Sequence, residues 1–472
     1  MKELYKLYFK EDIPKYIQIV SHLKRLIDTK LIKDGEKLPT IREFSEFLNV
    51  NKVTIVNAYK KLELDGYAYQ KVGSGTYAKR REVTSAFNRE YSKSFKCFTS
   101  EDLDKIIDFT GETNSEVYFP MEDFKRVLNA VLDRDGGNAL IIKESLGYEN
   151  LRKTINKSFW NNNLDLNNIL IVSGAQQGID IASKAIVNIN DNVVVEKPTY
   201  GGALSVFKWR RANIFEIDIE EDGIDLHRFE EILKKNNISC FYTMSYFHNP
   251  TGVSYSLDKK IKLLELANKY DFYIIEDDYL SELIYDNNIK HEPLKSLDKY
   301  ERVVYIKSFS KVFLPGIRLG YMITPSTFNE TIQSSKINTD IATSSLMQRT
   351  LELYISEGLW EKNIEHQQKL YKEKYLLMKE LINKELLDNV SYIDPKGGLY
   401  FYLEIKNKNI NSKELFNRLK KRNVFITPGI VLFKDSCNGD YFFRISFSQV
   451  SKEKIIQGIK LIKEELKWVM LL

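Results

Sequence analysis

The sequence predicts an α/β protein in two unequal parts, a small N-terminal winged helix-turn-helix module and a large domain built on a mainly parallel sheet. Three observations carry this reading. At 472 residues the chain exceeds what one core usually organises. Basic charge is concentrated at one end: residues 1–81 hold 17 Lys and Arg against 10 Asp and Glu, a balance of +7 that leaves −2 for the remainder. Beyond residue 106, short apolar runs alternate with helical stretches, the rhythm of strands connected through helices. The expected boundaries are 1–81 for the module, 82–105 for a polar linker and 106–472 for the large domain.

Composition narrows the function classes. A hydrophobic share of 43% with 12% aromatics suffices for packed cores and excludes general disorder. Cys97, Cys240 and Cys437 lie far apart and form no CxxC pair, so neither a disulfide framework nor a structural zinc is expected, and no metal site is assigned. The start Met1-Lys2-Glu3-Leu4 lacks a signal-peptide core, and no apolar run is long enough to span a bilayer. A soluble cytoplasmic protein without membrane partners is expected. A basic module on a near-neutral body points to a polyanionic partner.

In the module, Tyr16, Val20, Leu23 and Ile27 recur at helical spacing after Pro14 and predict a first helix. Gly35 and Pro39 break it. Thr40, with Glu43 three residues on, forms a capping-box pattern for a short second helix that ends near Leu48-Asn49. Asn51 can cap a third helix, with Ile55, Ala58, Tyr59 and Leu62 on one face and Val53, Asn57, Lys60 and Lys61 on the other; Lys52 sits in its first turn. Two helices on a tight turn, the second presenting polar and basic residues at its start, have the layout of a helix-turn-helix. Tyr67–Val72, a Gly73-Ser74-Gly75 turn and Thr76–Ala78 then read as a strand, turn and strand, a wing able to lie along phosphates. The plainer alternative, a three-helix packing module with a solvated basic face, does not explain why helix pair, wing and charge coincide.

In the large domain, strands are expected at Ile169–Val172, Val193–Val195, Phe241–Met244, Phe272–Ile275, Val303–Ile306 and Tyr321–Ile323. Ligands of such sheets gather at the carboxyl ends of the strands. One stretch there stands out. Ser308 and Arg318 bracket Lys311, so a hydroxyl and a guanidinium can share a phosphate beside an amine able to condense with an aldehyde. Lys311 alone reads as one more solvated lysine; the spacing suits pyridoxal phosphate (PLP). Other strand ends agree. Ser173–Gly178 leaves a strand and opens a helix whose first N–H groups suit a phosphate. Tyr200 offers a face for stacking, the Asn249 amide a donor, and Glu276-Asp277-Asp278 a carboxylate for a pyridine nitrogen. Singly each is weak, since tyrosines are often core and strand-end acids often solvated.

Their order and spacing resemble the fold-type I PLP aminotransferases over roughly residues 107–468, from Ile107-Asp108-Phe109-Thr110-Gly111 through Gly147 and Arg152 to Gly397-Gly398 and Phe443–Phe447. That resemblance implies a smaller C-terminal α/β subdomain and a homodimer with sites at its interface. It also implies Lys311 as the Schiff-base lysine, Asp277 at the pyridine nitrogen, Tyr279 and Asn249 at the ring oxygen, and Tyr200 stacked on the ring. Ser308, Arg318 and the Ala175-Gln176 backbone would hold the phosphate, and Arg444 would clamp an α-carboxylate. The first 81 residues resemble the GntR-type winged helix, through Leu38–Glu43, Val53–Tyr59, Leu62, Gly66 and Gly73–Thr76. By that likeness Arg42 and the turn Asn51, Lys52, Val53, Thr54 approach DNA, and Gly73, Ser74 and Gly75 approach its backbone.

Departures matter too. Ile142 stands where relatives often carry a tyrosine, which argues against a phosphate contact from the partner subunit; Gly201-Gly202 after Tyr200 offers no second cation, so a second ligand carboxylate is not favoured. Asn49 replaces a common glycine, and asparagine tolerates the left-handed turn. A winged helix joined to this body resembles the MocR/GabR-type regulators. The resemblance implies a regulator that binds duplex DNA at two half-sites and senses an amino acid or amine by aldimine exchange at Lys311. The alternatives are a working aminotransferase with an accessory DNA-binding domain, and a degenerate fold that binds neither cofactor nor ligand.

Overall fold

The structure is a computed structural model. It describes all residues except 1–2, 8, 10–13, 29–30, 65–66, 72–73, 80–90, 92–105, 112–117, 142–143, 287, 341, 409 and 468–472. Gly66, Gly73, Ile142 and, apart from Tyr91, the expected 82–105 linker lie outside the described residues. The chain divides into two compact units, Met1–Cys97 and Phe98–Leu472.

In the first unit α1 (Lys15–Asp28), α2 (Ile41–Leu48) and α3 (Lys52–Leu64) precede the hairpin β1 (Ala68–Lys71) and β2 (Gly75–Ala78). The capping box closes as expected: Thr40 Oγ1 accepts from Glu43 N at 3.2 Å, and the Glu43 carboxylate accepts from Thr40 N at 3.1 Å. Asn49 ends α2 in the left-handed conformation at φ 50°, and Asn51 Oδ1 accepts from Val53 N at the start of α3. Val20, Leu23, Ile27, Phe44, Ile55, Ala58, Tyr59 and Leu62 share one core, while Tyr16 is only partly buried against it. The Tyr59 hydroxyl donates to Pro39 O at 2.7 Å, which locks α3 to the turn before α2. Arg42, Asn51, Lys52 and Val53 stay exposed, and Thr54 is half-buried. In the hairpin Tyr69 and Tyr77 stack at 5.6 Å, with the Lys71 ammonium over both rings.

The second unit starts with β3 (Ile107–Asp108) and contains eight strands in one sheet: β4 (Ile169–Val172), β5 (Asn192–Lys197), β6 (Asn213–Glu220), β7 (Gly223–Ile224), β8 (Ile238–Thr243), β9 (Tyr273–Asp278), β10 (Val303–Ser308) and β11 (Gly320–Ile323). Their order is β4-β11-β10-β9-β8-β5-β6-β7. All six expected strands are present, several longer than their apolar runs. β6 was not among them: its burial is mixed along the strand, so it offers no continuous apolar signal. The central pairs are parallel; β11 runs antiparallel between β10 and β4. A smaller sheet, β12 (Val390–Tyr392), β13 (Tyr400–Ile405), β15 (Thr427–Pro428) and β16 (Phe442–Ser446), forms the C-terminal subdomain, and β14 (Val424–Phe425) pairs with β3. Among the described residues no helix is long and apolar enough to cross a membrane.

Candidate cofactor and ligand site

The carboxyl edge of the parallel strands gathers the expected residues. β4 ends at Val172, and the next residues turn into the helix Ala175–Ile186 through Gly174, whose φ of 90° favours glycine. The first N–H groups of that helix have no partner within it. The Arg318 guanidinium lies against this turn: Nη2 donates to Ser173 O at 3.1 Å, and a Cβ on Gly174 would meet it at 3.3 Å. Because β11 is antiparallel, its first residue, Gly320, pairs with the last of β10, Ser308. Ser308, the Lys311 loop and Arg318 therefore belong to one hairpin. Ser308 is buried and accepts from Ser310 N at 3.3 Å.

The neighbouring strands bring the other groups. Tyr200 begins the helix Gly201–Trp209. A side chain on Gly202 would collide with the Tyr200 ring and with Gln176 Oε1, and Gln176 Nε2 donates to Gly202 O at 3.2 Å. At the end of β9, pleating sends adjacent acids to opposite faces. Asp277 Oδ2 accepts from the Tyr242 hydroxyl at 2.8 Å, whereas Oδ1 is buried with no hydrogen-bond partner. Burial pushes the Asp277 carboxyl up to about 7, against the pull of the Tyr242 hydrogen bond and the Lys311 charge. Asp278 instead meets Lys307 Nζ at 3.1 Å, His291 Nε2 at 2.9 Å and the Tyr305 hydroxyl at 2.8 Å. Burial would raise its carboxyl, but Lys307 and His291 outweigh that and hold it well below the usual range. Glu276 accepts from Ser245 Oγ, Leu294 N and Lys295 N. Of the three acids, Asp277 alone keeps an oxygen open.

Asn249 and Arg444 meet across the two subdomains. Arg444, fully buried on β16, donates Nη1 to Asn249 Oδ1 at 2.6 Å. Nη2 lies 3.4 Å from Thr110 O and 3.3 Å from Thr427 Oγ1, and the Tyr400 ring stacks 4.3 Å from the guanidinium carbon. With its oxygen committed to Arg444, the Asn249 amide has its Nδ2 hydrogens to offer. These four groups around Arg444 are neutral. Tyr279, expected at a ring oxygen, directs its hydroxyl to Phe247 O at 2.8 Å.

Sequence reasoning missed Tyr242. It sits within the apolar β8, where a buried phenol needs a partner; that requirement was the available signal. The site also passes a physical test for a pyridoxal group. The bare, buried Asp277 oxygen matches a protonated ring nitrogen, and the open helix turn beside Arg318 matches a phosphate.

Comparison with known proteins identifies the family of each part. Residues 114–462 match the family "Aminotransferase class I and II", and residues 15–78 match "Bacterial regulatory proteins, gntR family". The HTH-type transcriptional regulator YcxD of Bacillus subtilis (strain 168) is 27% identical over 461 residues, 96% of this chain and all of that protein. The solved multiple substrate aminotransferase of Thermococcus profundus superposes with a TM-score of 0.73 at 28% identity, over 82% of this chain and 99% of its own. LysN, the α-aminoadipate aminotransferase of Thermus thermophilus, solved with N-(5'-phosphopyridoxyl)-L-leucine, gives 0.73 at 26% identity, over 81% and 97%. This chain belongs to the PLP-dependent aminotransferase class I and II family and carries that domain behind a GntR-family helix-turn-helix, the arrangement of the MocR/GabR-type regulators.

Proposed function

We propose that this protein is a cytoplasmic, homodimeric transcription regulator whose aminotransferase-type domain holds PLP at Lys311 and reports the presence of an amino acid or amine to DNA. The observation that carries the cofactor half is the Asp277 oxygen, buried and without a hydrogen-bond partner at the sheet edge that also carries the Ser173-Gly174 turn and Arg318. When bound, PLP supplies an aldehyde for amines and an electron-withdrawing ring. The chain's own residues do the rest. Lys311 would offer the amine that holds the cofactor. Asp277 Oδ1 would accept the ring N–H, Asn249 Nδ2 would donate to the ring oxygen, and Tyr200 would cover one face; Tyr279 would reach the ring oxygen only by giving up its hydrogen bond to Phe247 O. Ser308, Arg318 and the N–H groups of Ala175 and Gln176 take the phosphate. Arg444 selects ligands with an α-carboxylate by a two-pronged hydrogen bond.

The regulatory half is supported by the first unit. Arg42, Asn51, Lys52 and Val53 are exposed at the start of the helix pair, and Ser74 and Gly75 at the wing, where they can meet a duplex; Thr54 lies beside them. A dimer would present two such units to two half-sites. A working aminotransferase is the second reading, favoured by the complete set Lys311, Asp277 and Arg444. The full-length protein, loaded with PLP, separates the two. Borohydride should fix the cofactor on Lys311. An amino acid that changes the cofactor's absorbance should change operator affinity by about 5- to 150-fold, and Lys311→Ala should abolish that response. Steady turnover with an amino and a keto acid, with DNA affinity unmoved by either, would establish the enzyme instead.

A further inference from the structure

Behind the phosphate turn lies a hydrogen-bonded set that the assignments above do not use. Ser173, the residue before Gly174, is held at three atoms. Its N–H donates to Gln177 Oε1 at 2.6 Å, its carbonyl accepts from Arg318 Nη2 at 3.1 Å, and its hydroxyl donates to Asp340 Oδ2 at 3.1 Å. Gln177 Nε2 donates to the same Asp340 oxygen at 2.6 Å. The other oxygen, Oδ1, accepts from Lys336 Nζ at 2.8 Å, and Lys336 is almost fully buried. Lys336 Nζ and the Ser173 hydroxyl each lie 3.3 Å from Thr343 Oγ1. One carboxylate at the end of the helix Asn329–Thr339 thus gathers donors from two helices and from the turn that ends β4.

We propose that Asp340 is a positioning residue for the phosphate of the cofactor. Through Ser173 and Gln177 it fixes the backbone that aims the Ala175 and Gln176 N–H groups, and through the Ser173 carbonyl it fixes the Arg318 guanidinium beside them. A carboxylate is required because both of its oxygens face donors. Asparagine would turn an NH₂ either toward Lys336 Nζ or toward Ser173 and Gln177. Burial alone would raise the Asp340 carboxyl, but the hydrogen bonds from Lys336 and Gln177 outweigh it and keep the group ionised. Lys336 is pulled down by its own burial and is supported by the same contact. The inference rests on the PLP reading, and its test separates the two.

The full-length protein is titrated with PLP and, in parallel, with pyridoxal, which lacks the phosphate; binding is read from cofactor absorbance. Near-ultraviolet circular dichroism checks the fold. Asp340→Asn should weaken PLP by about tenfold or more, the scale of one charge-assisted hydrogen bond, and leave pyridoxal within about twofold. Gln177→Leu, which keeps the Asp340–Lys336 pair, should show the same selectivity if Asp340→Asn does not fold. Equal losses for both probes would make the set a packing element, and no loss for either would remove it from the phosphate site; each result overturns the proposal. Wild-type protein that binds neither probe would overturn the cofactor reading itself, and the inference with it.

Discussion

Replacing Asp277 by asparagine should stabilise the cofactor-free protein at neutral and higher pH while weakening the cofactor-loaded one. An ordinary aspartate ionises near 3.9; burial lifts Asp277 to about 7. The folded chain therefore holds a proton that the unfolded chain releases between those values. Below about pH 4 the group is neutral in both states and costs nothing. As pH rises toward 7 stability falls by about 1.4 kcal/mol per pH unit, for a total of roughly 4 kcal/mol above pH 7. Asparagine carries no charge and removes this slope. Its amide oxygen can accept from Tyr242, but its NH₂ would then occupy the bare site, at a cost of about 1–3 kcal/mol. The net gain at pH 8 is about 1–3 kcal/mol. The pH slope is the firmer readout. Urea unfolding followed by tryptophan fluorescence reports the large domain alone, since Trp160, Trp209, Trp360 and Trp468 all lie beyond residue 97. Wild type should lose stability relative to Asp277→Asn from pH 5 to 7. With saturating PLP the order should invert, because the ring nitrogen supplies the positive partner that the lone carboxylate lacks. Parallel pH profiles for the two apo proteins would refute the argument, and an unchanged PLP affinity would remove Asp277 from the ring nitrogen.

Three other outcomes are expected. Arg444→Ala should weaken the absorbance response to α-amino acids by about one to two orders of magnitude and leave that to simple amines unchanged; equal responses across both ligand sets would place Arg444 outside the ligand site. Arg42→Ala and Lys52→Ala should each weaken duplex binding and flatten its logarithmic salt dependence by about 0.9 for each phosphate no longer neutralised, with PLP binding unaffected; retention of the full salt slope would refute a backbone contact. Thr40→Ala removes one half of the capping box and should cost about 1 kcal/mol, read as faster amide hydrogen exchange across residues 41–48 in the full-length protein; unchanged exchange there would show that the cap adds nothing.

How much of this was legible follows from how far apart the cooperating residues lie in the chain. The capping box and the Asn49 turn are local, so spacing alone exposed them; spacing also singles out Ser308, Lys311 and Arg318, whose roles are proposed. The continuous apolar strands were equally plain. β6 was not, because its burial is mixed along its length. Tyr242 reads as one more aromatic in a core strand until β8 is set beside β9 and its hydroxyl reaches Asp277. The Asn249–Arg444 contact joins residues 195 positions apart, and Ser173–Asp340 joins residues 167 apart. Such pairings are products of the folded sheet, and nothing in either flanking sequence announces them. The two acids of Asp277-Asp278 illustrate the same limit: the chain shows them side by side, and only the pleat of β9 leaves one with an open oxygen and sets the other on Lys307.

The reversed strand β11 has a consequence for how such a site can change. Since β11 runs against its neighbours, it begins where they end, and the 309–319 connection leaves and returns to one edge of the sheet. The proposed anchoring amine, Lys311, and two of the proposed phosphate ligands, Ser308 and Arg318, thereby travel together on one contiguous stretch of gene. An insertion there would part Lys311 from Ser308 or from Arg318 in a single event and disturb the proposed cofactor site while leaving the other strands of the sheet in place. Arg444, the proposed ligand-selecting group, lies on another segment and is free to drift. On the proposed assignments, retention of the cofactor and choice of ligand would be separately heritable traits.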